Sequence, residues 1–203
     1  MSSLSSVVEI CNMALGWIGA DRITSLDDNS EQAVLCKLNY ATSRDTVLES
    51  REWTFAVKRF SLTPTGVTPE FNWGNAFSLP TEILRVISVE RESVVGSNEL
   101  TSNFVEHEQM NWVREGNEVL SDWDSIKIRA IIRIEDTTLF SPSFVHVLAA
   151  RLAADLCIPI TRSKTLQQQM FALYGAKLDD AAATDGMQGR SKRIRSRYLA
   201  ARR

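Results

Sequence analysis

Residues 144–158, FVHVLAARLAADLCI, constrain this chain more than any other stretch. Twelve of the fifteen are apolar, and only His146, Arg151 and Asp155 interrupt them. Ser141 suits a helix N-cap and Pro142 the first helical position, so a helix is predicted to start there. At about 100° per residue, His146 points roughly opposite to Arg151 and Asp155, which lie one turn apart and are placed to pair. A helix this apolar all round has to be covered nearly all round. Core packing alone accounts for it. The sharper expectation is that a lone chain of this size leaves part of it bare, so that Phe144, Val147, Leu148, Arg151, Leu152 and Asp155 meet a neighbouring copy. Pro159 is expected to end the helix, and Thr161 or Ser163 to cap the next. Leu166, Met170, Leu173, Tyr174, Lys177, Leu178 and Ala181 then recur at three- and four-residue steps. That pattern gives a second helix, antiparallel to the first across a short turn.

The start of the chain repeats this theme. Ser6 with Glu9 reads as a capping box. Leu4, Val8, Cys11, Leu15 and Ile18 follow at helical spacing, and Gly19 marks the stop. The loop 20–29 holds Asp21, Asp27, Asp28 and Asn29. It lacks the alternating ligands and closing Glu of a calcium loop. A turn followed by a cap is expected instead, Asp28 with Glu31 or Asn29 with Gln32. Ala33, Cys36, Tyr40 and Val47 then mark the buried side of a helix running to about Ser50.

At 51–60, REWTFAVKRF, Trp53, Phe55 and Phe60 alternate with Arg51, Lys58 and Arg59. This suits stacking on bases; core aromatics flanked by solvated charges explain it at least as well. Helical periodicity then stops at Pro64, Gly66 and Pro69. Strands are predicted in 71–80, from Ile83 to Val95, and, after a turn at Gly96-Ser97, in 98–105. Residues 109–114 and 118–121 flank Gly116-Asn117 as a hairpin. The clearest strand is 126–134. There Ile126, Ile128, Ala130, Ile132 and Ile134 should form a buried face, and Lys127, Arg129, Ile131 and Arg133 a wet one.

The predicted class is therefore α+β. It is mainly a four-helix bundle (1–60 and 141–186) with an inserted antiparallel β module of four or five strands (61–140) and a basic C-terminal arm (187–203). Charge separates the arm from the rest. Seven of the 23 lysines and arginines and none of the 25 acids lie in 187–203, which leaves residues 1–186 at net −9. An acidic body with a basic tail suggests a tail that seeks an acidic partner. No apolar run approaches the ~18 residues of a membrane span, and no secretory signal is evident, so no membrane association is expected. Cys11, Cys36 and Cys157 sit in apolar helical patterns, as buried thiols of a reducing compartment do.

Catalytic patterns are sparse. His107 and His146 lack partners at metal-ligand spacing, and no dinucleotide, P-loop or nucleophile-elbow motif occurs. No metal or cofactor is expected. Among the acid pairs, Asp122 and Asp124 around Trp123 come nearest to the two carboxylates of a glycosidase, with solvated loop acids as the plainer account.

Four segments carry a resemblance: VEICNMALGWIGADRITSLDDNSEQA (8–33), WTFA (53–56), FSLPTEILRV (77–86) and SPSFVHVLAARLAADLCIPITRS (141–163). In this order they resemble the head-to-tail adaptors of short-tailed bacteriophages, the tail tubular protein A family. The resemblance implies a non-enzymatic virion protein, made in the bacterial cytoplasm and placed at the head–tail junction. It implies a ring of about twelve copies bound to the portal protein above and the tail tube or nozzle protein below. Packaged DNA would pass through without specific binding. The arm would reach the portal through Arg190, Lys192, Arg193, Arg195, Arg197, Tyr198, Arg202 and Arg203. Two other classes remain: a virion-associated cell-wall hydrolase using Asp122 and Asp124, and a nucleic-acid-binding module using the arm.

Overall fold

A computed structural model describes residues 6–91 and 111–186. The chain is mixed α+β. Its elements run α1 (Val7–Trp17), α2 (Glu31–Ser50), β1 (Val57–Leu62), β2 (Asn75–Ser78), β3 (Ile83–Arg91), β4 (Trp112–Glu115), β5 (Glu118–Ser121), β6 (Ile126–Ile132), α3 (Pro142–Thr161) and α4 (Lys164–Gly186). They form two compact units. One is Tyr40–Leu139; the other combines the described parts of Ser5–Asn39 and Phe140–Arg203. The division falls inside α2, whereas the sequence pattern put the change of character near residue 60.

In the helical unit, α3 packs against α1 and α4. The capping box of α1 is present: the Ser6 hydroxyl accepts from the Glu9 N–H at 3.2 Å, and the Glu9 carboxylate accepts from the Ser6 N–H at 2.7 Å. Gly19, at φ +71°, closes the helix, with the Gly19 and Ala20 N–H groups donating to the Gly16 and Leu15 carbonyls. These paired bonds form a Schellman motif, which needs the left-handed residue that glycine supplies. The cap of α2 is Ser30, not Asp28 or Asn29: its hydroxyl accepts from the Ala33 N–H at 3.2 Å. Asp28 instead folds the preceding loop, accepting from the Thr24 and Ser25 N–H groups at 2.8 and 3.0 Å.

At α3, Ser141 caps as expected, accepting from the Phe144 N–H at 3.2 Å. Pro159 does not end the helix. It lies within the last turn, and Arg162, in the left-handed conformation at φ 55°, closes the helix through an N–H bond to the Ile158 carbonyl. A proline this near the end forfeits a single backbone bond, which the packing of the helix absorbs. Ser163 caps α4, accepting from the Leu166 N–H at 3.2 Å. Arg151 and Asp155 pair at 3.0 Å, and the Arg151 guanidinium lies over the Phe171 and Tyr174 rings of α4 at 5.6 and 5.8 Å. By length and composition α3 could cross a membrane, but 61% of its apolar window is buried inside the chain.

The other unit holds two three-stranded antiparallel sheets, ordered β1-β6-β3 and β2-β5-β4. That makes six strands among the described residues, where four or five were expected. Residues 92–110 lie outside the description, and with them the predicted Gly96-Ser97 turn and the strand at 98–105. The predicted hairpin is β4–β5, with Gly116 at φ +58° in its turn. Phe77, Leu79 and Val119 join Ile83, Val89, Ile126, Ile128 and Ala130 in one apolar cluster, so the two sheets share a core.

One expectation for β6 fails. Ile131 belongs to the face predicted to be wet, yet it is fully buried. Its neighbours on that face show why. Arg129 pairs with Glu52, and Arg133 pairs with Asp45 at 2.8 Å, so the end of α2 lies over this side of the strand. The same end of α2 carries Arg44, only 7% exposed, which Asp45 neutralises at 2.8 Å with Glu135 at 3.8 Å.

Candidate functional site

The expected subunit contacts on α3 are placed in the core. Phe144, Val147, Leu148 and Leu152 have no accessible surface in the single chain, and only Arg151 and Asp155 of that set keep some exposure. The premise that a lone chain leaves this helix bare does not hold, because helices on either side already enclose it. The basic residues assigned to the portal, Arg190 to Arg203, lie outside the described residues, as does His107.

The remaining candidates take structural positions. Trp53 is 1% exposed, and its indole N–H donates to the Val47 carbonyl at 2.8 Å, which removes it from any base-stacking surface. Lys58 pairs with Glu82 at 3.0 Å and lies over the Phe60 ring at 5.1 Å. Asp122 accepts from the Gly74 N–H at 2.9 Å, tying the loop before β2 to the end of β5, and Asp124 is exposed. His146 stacks on Trp17, ring centroids 6.5 Å apart. Cys11 and Cys36 are buried side by side; the hydrogen bond between them, then burial, pushes the Cys11 thiol far up from its ordinary value, so it stays protonated. Among the described residues, no group of three or more His, Cys, Asp or Glu side chains is placed to hold a metal.

The feature with the chemistry of a binding site lies in the β unit and was not anticipated. A cavity of about 290 Å3 opens between the loop before β2 and the β4–β5 hairpin. Val67, Phe71 and Trp73 line it together with Glu70, Glu115 and Glu118. Phe71 is 74% exposed and Val67 70% exposed. Asn72 between the aromatics has φ +68°, and the Trp73 N–H donates back to the Phe71 carbonyl at 2.9 Å. This is a three-residue turn, in a conformation that Asn tolerates better than most residues. Glu115 and Glu118 are direct partners across the hairpin. Like charges so placed repel, since opposite Cβ atoms sit about 5 Å apart. The sequence carried the signal: two glutamates flanking Gly116-Asn117 must face each other once that turn forms.

Neither the family models nor the curated proteins with which the chain was compared give a match.

Proposed function

We propose that the chain is a head-to-tail connector of a short-tailed bacteriophage virion, without catalysis. In this reading its helices join in one bundle. About twelve copies form a ring between the portal and the tail tube or nozzle, continue the DNA channel, retain the packaged genome and let it pass at ejection. The observation that carries the proposal is the ordered resemblance at 8–33, 53–56, 77–86 and 141–163 to the tail tubular protein A family. Charge supports it. A body at net −9 suits a channel wall that must not hold phosphates, because a basic lumen would bind DNA and slow its exit. An arginine-rich arm suits carboxylates on a protein partner.

Because α3 is buried in the single chain, the connector reading takes its ring contact from another surface. Val34 and Leu38, one turn apart on α2, are 59% and 72% exposed, and they replace the α3 residues as the apolar part of that contact. The decisive measurement is the mass of the assembly formed when the full chain is mixed with portal rings. About twelve chains per ring are expected; a chain that stays single at every concentration overturns the proposal. Removal of residues 187–203 should leave the helical circular dichroism intact and weaken portal pull-down at least ~10-fold. Undiminished binding would rule the arm out as the dock.

A further inference from the structure

We propose that the cavity walled by Phe71 and Trp73 is a receptor for the basic arm of a second copy of this chain, seating an arginine between the aromatic walls and the glutamate pair. The argument starts with the two carboxylates. Glu115 and Glu118 face each other across the hairpin, Glu70 adds a third charge at the same cavity, and none of the three carboxylates makes an ion pair or hydrogen bond among the described residues. No described residue compensates the repulsion at this rim, and a cation placed there relieves it.

The walls select the kind of cation. Phe71 and Val67 expose apolar surface that a hydrated metal ion would leave wet. A guanidinium covers it, because its flat face stacks on aromatic rings while its edge donates to carboxylates in pairs. A cavity of about 290 Å3 admits one or two such side chains and not a folded domain.

The chain supplies a matching ligand. Residues 187–203 carry seven of its 23 basic side chains and no acid, with Ile194, Tyr198 and Leu199 among them for the apolar walls. Seventeen residues reach up to about 55 Å when extended. That length lets the arm reach a body other than its own. Bodies at net −9 that repel one another are joined by such an exchange.

This inference concerns the chain without portal, where the arm is not engaged by that partner; it does not depend on the connector reading, and no portal enters its test. A photo-crosslinking phenylalanine is placed at position 71 of the full chain, and isotopically heavy and light protein are mixed. Cross-links from position 71 of one isotope to 187–203 of the other are expected. Cross-links confined to one chain, or none to the arm, overturn the proposal. In sedimentation of the full chain at low salt, the double variant Glu115→Gln/Glu118→Gln should self-associate about tenfold more weakly than the parent, and the parent's own association should fall with added salt. Its melting temperature should hold or rise, because the substitution removes a repulsion. Unchanged association in that variant also overturns the proposal.

Discussion

The helical unit and the β unit bury their cores by different means. In the helical unit the central element is apolar on most of its surface, and it packs against α1 and α4 with no buried charge among the described residues beyond the half-buried Arg151–Asp155 pair. In the β unit β6 alternates apolar and charged residues over its first half, and its second side is closed by the end of α2 and the residues after it through Arg44, Asp45, Glu52, Arg129 and Arg133. The first arrangement depends on shape and volume. The second depends on charges meeting across a long sequence separation, and losing Asp45 strands the buried Arg44 without its nearest partner. The exposed aromatic cavity also belongs to the second unit.

The largest effect that sharpens this contrast is expected from Leu152→Ala. Leu152 has no accessible surface, and its truncation should cost about 4 kcal/mol, measured by urea unfolding. If the units are energetically separate, Trp17 fluorescence should report the loss while Trp53 and Trp123 unfold at nearly the parental midpoint; a common shift of all signals would break the comparison. Next comes Asp45→Ala, which deprives both Arg44 and Arg133 of their closest carboxylate. A cost of about 3 kcal/mol is expected, confined to the β unit. A loss below about 0.5 kcal/mol would mean that the network behaves like ordinary surface pairs.

The smallest effect is expected from Asp28→Ala, and pH identifies it. Bonds from the Ser25 N–H, then the Thr24 N–H and hydroxyl, hold the Asp28 carboxyl below its ordinary value. As pH falls, the unfolded chain takes up this proton before the folded one does. The contribution is therefore present above the usual Asp value of about 3.9 and disappears as pH drops through the lowered folded value. Parent and variant should differ slightly at neutral pH and converge in acid; a difference that persists at pH 2 would assign the effect to something other than ionisation.

Local signals were legible because they act over a few residues. The Ser6–Glu9 box, the Gly19 stop, the Ser141 and Ser163 caps, the partly buried stripe of α4 and the hairpin around Gly116 all follow from hydrogen bonds or periodicities spanning one or two turns. The failures share a cause. Asp28 lost the cap of α2 to Ser30 because the Thr24–Ser25 turn already claimed its carboxylate. Ile131 is dry because α2, some 80 residues earlier, reaches back over it.

The sequence by itself determined where α1, α3 and α4 begin and where the β4–β5 hairpin turns, but not the strand at Val57–Leu62; it also determined that α3 had to be enclosed and that the chain is an acidic body with a basic end. Only the tertiary structure decided what does the enclosing. It put the chain's own helices around α3, buried Arg44 within a partly exposed charge network at the end of α2, and left Phe71 and the facing glutamates open. Periodicity states how much surface must leave water; which surface covers it depends on partners brought together across the whole chain.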